Sequence, residues 1–187
     1  LLKYFEGHNL KIERMKNYFT ALICLGLITA CSPESTKLEE TGVGYNRWDG
    51  PTAVIGDQSS VDLWMNCMEL HNDKDFAGIE AITAEDFHLW ADGFEYANKT
   101  AYMAGMEAWL TETEVTWDPV WCIAVRNAGE PDGPQYVLSS HDIIQSYGDS
   151  SYTRNDMVLI QINDDLISRI WVHPRNFSPA ELASMNE

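Results

Sequence analysis

Four long β-rich segments in the C-terminal half of the chain restrict its fold more than any other feature of the sequence. Each segment is rich in β-branched and aromatic residues, as strands are. The segments lie at about 115–126, 135–147, 152–162 and 166–173. The gaps between them contain Gly, Pro, Asn and Asp, which favour tight turns. Because short turns join antiparallel neighbours, the sequence predicts an antiparallel meander at the end of the domain.

Helical periodicity precedes these strands. The spacing of apolar residues predicts three helices, at 59–71, 76–82 and 99–112, with a short strand at about 87–90 between the last two. Helices followed by an antiparallel meander are typical of an α+β domain, in which the helices pack on one face of a curved sheet.

The N-terminal region reads as a secretion signal. Met15 and Lys16 begin it, and the uncharged run 18–30 follows. A membrane-spanning helix needs about 20 apolar residues, so this run is too short and is predicted to be a signal peptide over 15–30. Residues 1–14 lack an initial Met and are interpreted as an over-extended start.

The end of the signal, Ile-Thr-Ala-Cys at 28–31, resembles the lipobox of bacterial lipoproteins. That resemblance implies that Cys31 is lipidated and becomes the mature N-terminus. It also implies a lipid-anchored protein of the bacterial cell envelope, and Ser32 favours the outer membrane over the inner one.

The remaining chain is divided into a flexible linker at 31–56, one domain at 57–177 and a C-terminal tail at 178–187. Residues 1–30 hold four basic and two acidic residues, so their removal changes the formal net charge from −17 to −19. Such a charge repels nucleic acid and anionic headgroups, which excludes nucleic acid as an expected partner and leaves the lipid anchor as the membrane contact. Cys67 and Cys122 remain in the domain, either as a disulfide or as free thiols.

Several segments of the domain resemble the nuclear-transport-factor-2-like (NTF2-like) superfamily, in its SnoaL-like branch. They read HNDKD, FAGIEAI, AEDF and DDLISRI, at 71–75, 76–82, 84–87 and 164–170. The resemblance implies a cone, in which a strongly curved antiparallel sheet carries helices on its concave side and encloses an apolar pocket. Different members bind steroids or polyketides, and dimers are common, so a homodimer is a further expectation.

Isomerase-like members of this superfamily carry a base carboxylate at the end of the first strand. Alignment places Ala91 at that position and Asp92 one residue later. Because successive strand residues face opposite sides, Asp92 takes the role only if a bulge intervenes. The alternative is a turn aspartate before Gly93.

A second candidate pair follows from the predicted turn at 148–149. In a hairpin with a two-residue loop there, two residues lie opposite each other when their numbers sum to 297. His141 therefore lies opposite Asp156. A carboxylate raises the pKa of a neighbouring imidazole, as acid–base catalysis requires, and SnoaL-type cyclases are similar in using an Asp with a nearby His. The alternative is a polar cross-strand contact, since Asp142 and Arg154 are equally near. No metal-ligand spacing is present, and no cofactor is predicted.

Aromatic residues are the remaining candidates for a site. The predicted pocket residues are Trp64, Trp90, Tyr102 and Trp121. A domain of this size with so many rings has either a dense core or an aromatic-lined pocket for a flat apolar ligand. Three functions remain open: a tethered domain that binds a small apolar molecule, a cyclase or isomerase that uses His141 and Asp156, and a module that binds protein through its outer sheet face.

Overall fold

The computed structural model describes residues 41–45, 52–148 and 150–184. Cys31, the predicted signal peptide and residues 1–14 lie outside the described residues. Eight strands and four helices make up the described part of the chain, in this order: β1 (Gly42–Tyr45), β2 (Thr52–Ile55), α1 (Gln58–Asn72), α2 (Phe76–Ala81), β3 (Thr83–Ala91), β4 (Phe94–Tyr96), α3 (Lys99–Glu112), β5 (Glu114–Asn127), β6 (Gln135–Tyr147), β7 (Ser150–Asn163), β8 (Leu166–Asn176) and α4 (Pro179–Ser184).

The strands form one sheet in the order β1-β2-β5-β6-β7-β8-β3-β4. The predicted α+β class is confirmed, with a curved, open sheet that is antiparallel throughout except for the parallel pair β3 and β8. Long strands and a bulge between Pro119 and Trp121 favour strong bending. The β7–β8 turn places Asp164 and Asp165 at positive φ, which Asp tolerates better than most residues.

One apolar core joins α1, α2 and α3 to one face of the sheet. Its most enclosed members include Ile79, Phe87, Leu110, Val137 and Ile160, each 0% exposed. A side chain caps the first turn of each of the helices α2 and α3. Asp75 accepts a hydrogen bond from the Gly78 N–H at 2.9 Å, and Asn98 accepts one from the Ala101 N–H at 2.8 Å. Each helix therefore begins where its cap residue stands.

Two segments differ from the predicted organisation. Within the predicted linker, residues 42–45 and 52–55 form β1 and β2 instead of flexible chain, and β2 pairs with β5. Val54 is buried in that pairing, so apolar contact with a distant strand orders a segment whose own sequence shows little periodicity. The predicted tail contains α4. Among the described residues, the helices are all too short or too polar to span a bilayer.

Candidate ligand-binding and acid–base site

A cavity of about 480 Å³ lies between the helices and the concave face of the sheet. Its walls are mainly apolar and aromatic, with a smaller polar group on β6 and β7. The lining residues are Trp64, Met68, His71, Leu89, Ala91, Asp92, Phe94, Tyr96, Tyr102, Met106, Trp109, Trp117, His141, Ile143, Gln145, Arg154, Asp156, Val158, Ile170, Val172 and Pro174. Small-molecule sites commonly have this size and composition.

Two of the four predicted pocket aromatics line this cavity. Trp64 and Tyr102 do so, from α1 and α3. The prediction is wrong for Trp90, which faces the outer side of the sheet and stacks on Trp171 at a centroid distance of 5.2 Å. It is also wrong for Trp121, which is 44% exposed because the bulge in β5 turns it to the outer face.

Sequence reasoning missed two tryptophans that line the cavity, Trp109 and Trp117. Their rings meet edge to face at 5.6 Å. Strand alternation could have identified Trp117, since it lies two residues after the buried Val115 and shares its face.

The predicted register of the second hairpin is confirmed. Tyr147 pairs with Ser150, and His141 pairs directly with Asp156. Both side chains line the cavity and are almost fully buried, with exposed fractions of 2% and 1%. This strand pairing thus brings an imidazole and a carboxylate to one enclosed wall.

Asp156 is bound by Arg154 and not by the imidazole. The Arg154 Nε donates to Oδ1 at 2.9 Å, and its Nη2 donates to Oδ2 at 3.1 Å. Arg154 stands two residues earlier on the same strand and face, where the guanidinium fork matches both carboxylate oxygens. Burial raises the pKa of Asp156, and Arg154 opposes that rise.

The expectation that a carboxylate raises the pKa of His141 is wrong. Burial, and after it the positive charge of Arg154, lower this pKa to about 4, against a smaller opposing effect of Asp142. The imidazole is therefore neutral near pH 7. Its Nδ1 is enclosed and has no hydrogen-bond partner in the described part of the chain.

His71, which the sequence shows only as an isolated histidine, belongs to the cavity wall. Its Nδ1 lies 2.6 Å from the Cys67 carbonyl oxygen and its Nε2 lies 2.8 Å from Tyr102 Oη. Burial lowers the pKa of His71 and raises that of Tyr102. Nδ1–H therefore donates to the carbonyl, and the Tyr102 hydroxyl donates to Nε2. This pair connects α1 and α3 beside the cavity.

Asp92 stands in the turn after β3, exposed, where it contributes to the cavity lining. The pairing of β3 with β4 is regular from Leu89 to Ala91, whereas the pairing of β3 with β8 is irregular between Thr83 and His88. Ala91 lines the cavity as well, so a base role of Asp92 stays a prediction. Cys67 and Cys122 are both free thiols. The described residues contain no cluster of three or more His, Cys, Asp or Glu side chains that could hold a metal.

Comparisons with known proteins define the fold. No protein-family model matches this sequence, and no curated protein sequence matches it significantly. Among solved structures, a candidate ketosteroid isomerase from Kribbella flavida is similar, with 12% identity over 67% of this chain and 84% of that chain and a TM-score of 0.53. A candidate polyketide cyclase from Xanthomonas campestris has 14% identity over 70% and 98% of the two chains, with a TM-score of 0.52.

An LEH-like epoxide hydrolase from M. tuberculosis is also similar, at 11% identity over 62% of this chain and 82% of that chain, with a TM-score of 0.54. At such low identity these similarities show the fold alone. The domain has an NTF2-like fold.

Proposed function

We propose that the domain binds a small, mostly apolar and planar molecule in the cavity between its helices and its sheet. The observation that carries this proposal is the cavity of about 480 Å³, which is lined by aromatic side chains and is not filled by the core. The names of the similar structures, which include an isomerase, a cyclase and a hydrolase of small molecules, support the same class of ligand.

Binding can be tested with the uncharged fluorescent dye Nile red. We expect saturable binding to the full chain with quenching of tryptophan emission, because Trp64, Trp109 and Trp117 line the cavity. Val172→Phe should weaken binding by a factor of about five or more, because the larger ring takes up space that the dye would fill, at an expected cost of about 1 kcal/mol or more.

The matched control for this test is His173→Phe, because His173 is exposed and absent from the cavity lining while its neighbour Val172 lines it. It should leave dye affinity unchanged. A folded protein that shows no saturable binding, or equal losses in both variants, would contradict the proposal.

Acid–base catalysis is a second candidate function, favoured by the placement of His141 and Asp156 on one cavity wall. In such a reaction the Asp156 carboxylate removes a proton from the carbon next to a substrate carbonyl, and the electron pair moves to the carbonyl oxygen. The neutral imidazole can donate a hydrogen bond to that oxygen, and Asp156 then returns the proton to carbon. Arg154 acts as a positioning residue that orients the carboxylate.

Deuterium exchange tests this chemistry without knowledge of the substrate. In D₂O, the full chain should catalyse exchange of the methyl protons of 2-acetylnaphthalene, followed by NMR. Asp156→Asn should abolish the acceleration because an amide is not a base, while dye binding persists. Exchange at the same rate with wild type and variant would rule out Asp156 as the base and leave binding as the function.

We further propose that a lipid on Cys31 tethers the protein to the bacterial cell envelope, in the outer membrane. Support comes from the order of charged start, short apolar run and Ile-Thr-Ala-Cys within residues 15–31. The acidic character of the chain, with a formal net charge of −17, disfavours direct contact with anionic headgroups and so makes the lipid the expected anchor.

A further inference from the structure

The two nitrogens of His141 have different surroundings. Among the described residues, Nδ1 is enclosed and unpartnered, whereas Nε2 is not enclosed in this way and makes no hydrogen bond. Because the side chain lines the cavity, Nε2 is the nitrogen that remains open to a ligand.

The indole of Trp64 lies beside His141 and bears on which imidazole nitrogen carries the proton. Trp64 Nε1–H is also enclosed and unpartnered, and the two ring centroids are 6.1 Å apart. A neutral imidazole has one N–H and one lone pair. A proton on Nδ1 would add a second enclosed N–H without an acceptor beside the first, whereas a lone pair there is compatible with the indole donor. These surroundings favour the tautomer with the proton on Nε2, on the side of the cavity.

The two charged side chains that line the cavity beside His141, Arg154 and Asp156, compensate each other. Both oxygens of Asp156 accept hydrogen bonds from Arg154, so this ion pair leaves no unpaired charge for a charged ligand to neutralise. A ligand carboxylate would also lie close to Asp156, which is 1% exposed and poorly screened by solvent. The polar wall thus favours an uncharged group.

We infer that His141 selects uncharged ligands that carry an acceptor oxygen, to which Nε2–H donates a hydrogen bond. This inference deepens the proposed binding function and rests on it. His141 is accordingly a specificity-determining residue, and a ketone, ester or ether oxygen attached to a flat apolar body is the matching chemistry.

Three naphthalene probes of similar shape test this selection on the full chain. They are 2-acetylnaphthalene, 2-isopropylnaphthalene and 2-naphthoate, which present an acceptor oxygen, a hydrocarbon group and an anion. The ketone should bind about fivefold to tenfold more tightly than the hydrocarbon, because one hydrogen bond typically contributes this much, and the anion should bind most weakly.

His141→Phe keeps a ring of similar size without the donor. It should remove the preference for the ketone over the hydrocarbon, because the donor is lost while an apolar ring remains. His173→Phe, on the outer face, should keep the full preference. Should His141→Phe fail to fold, ¹⁵N NMR of histidine-labelled wild type provides an independent measurement, with a neutral Nε2–H tautomer expected for His141.

The outcomes separate this inference from the binding proposal. Equal affinities for the ketone and the hydrocarbon, or an Nδ1–H tautomer, would overturn the selection by His141 while binding itself stands. Failure of all three probes to bind the folded protein would overturn both. A ketone preference that survives in His141→Phe would assign the acceptor contact to another residue.

Discussion

At the scale of single residues, the behaviour of His141 shows how burial outweighs a nearby charge. The imidazole lies directly opposite a carboxylate, which in water would raise its pKa. Here the carboxylate is already neutralised by Arg154, and the low polarity of the cavity wall penalises a second positive charge. The same pair of residue types thus yields a neutral hydrogen-bonding group instead of a proton-relay dyad.

This neutral state predicts a pH dependence of stability. A histidine whose pKa falls from 6.5 to about 4 on folding binds its proton in the unfolded chain first, so stability is lost as the pH falls from about 6.5 to about 4. The free energy of unfolding from urea titrations should drop by about 2 kcal/mol more in wild type than in His141→Phe between pH 7 and pH 4.5, at about 1.4 kcal/mol per pKa unit.

His71, whose pKa is also lowered, and Asp156, whose raised pKa acts in the opposite sense, remain in both proteins. The difference between wild type and variant therefore isolates His141. His173→Phe should keep the wild-type pH dependence, and equal losses in wild type and His141→Phe would refute the assignment.

At the scale of elements, the short strand β2 extends the domain beyond its predicted start. Its residues pair with β5 from Ala53 to Ile55. The strand alternates, so Val54 is 2% exposed and Ile55 is 54% exposed. The segment therefore contributes to the core through one side chain, although most of its composition is typical of a linker.

Two adjacent substitutions test this role. Val54→Asp should lower the free energy of unfolding by about 3 kcal/mol, because it replaces a buried apolar side chain by an unpaired charge. Ile55→Asp should change it by less than about 1 kcal/mol, since this side chain already faces water. Thermal and urea denaturation measure both; similar effects at the two positions would show that β2 does not belong to the stable core.

At the scale of the whole molecule, the outer face of the sheet is notably apolar. Trp121 and Ile123 on β5 are 44% and 40% exposed, and Met157 on β7, across β6, is 38% exposed. Large exposed apolar patches often mark protein interfaces. A homodimer stays a prediction, and the outer face is also the surface that a protein-binding function would use.

The membrane tether is likewise a property of the whole protein. Cys31→Ser should leave an unlipidated precursor and release the domain from the membrane fraction. Because each buried methylene of an acyl chain contributes about 0.8 kcal/mol, loss of the lipid should remove nearly all membrane binding. Fractionation and immunoblotting of bacterial envelopes measure the outcome, and unchanged membrane association would show that another element holds the protein there.

Local features of the sequence determined much of this fold. The turn-forming residues in the sequence after Tyr147 predicted the hairpin register that pairs His141 with Asp156, and apolar periodicity located the helix at 99–112 within its observed bounds. The hairpin register and the helix position both depend on interactions between residues close in sequence, so they can be predicted from the sequence alone.

Other features depended on contacts between distant parts of the chain. The bulge in β5 decided that Trp121 faces outward, and helix packing joined His71 to Tyr102 across 31 residues. Burial in the assembled cavity wall, together with Arg154, decided the charge of His141. Sequence spacing predicts which groups share a strand face, but desolvation and through-space partners exist only once the sheet has curved around the helices.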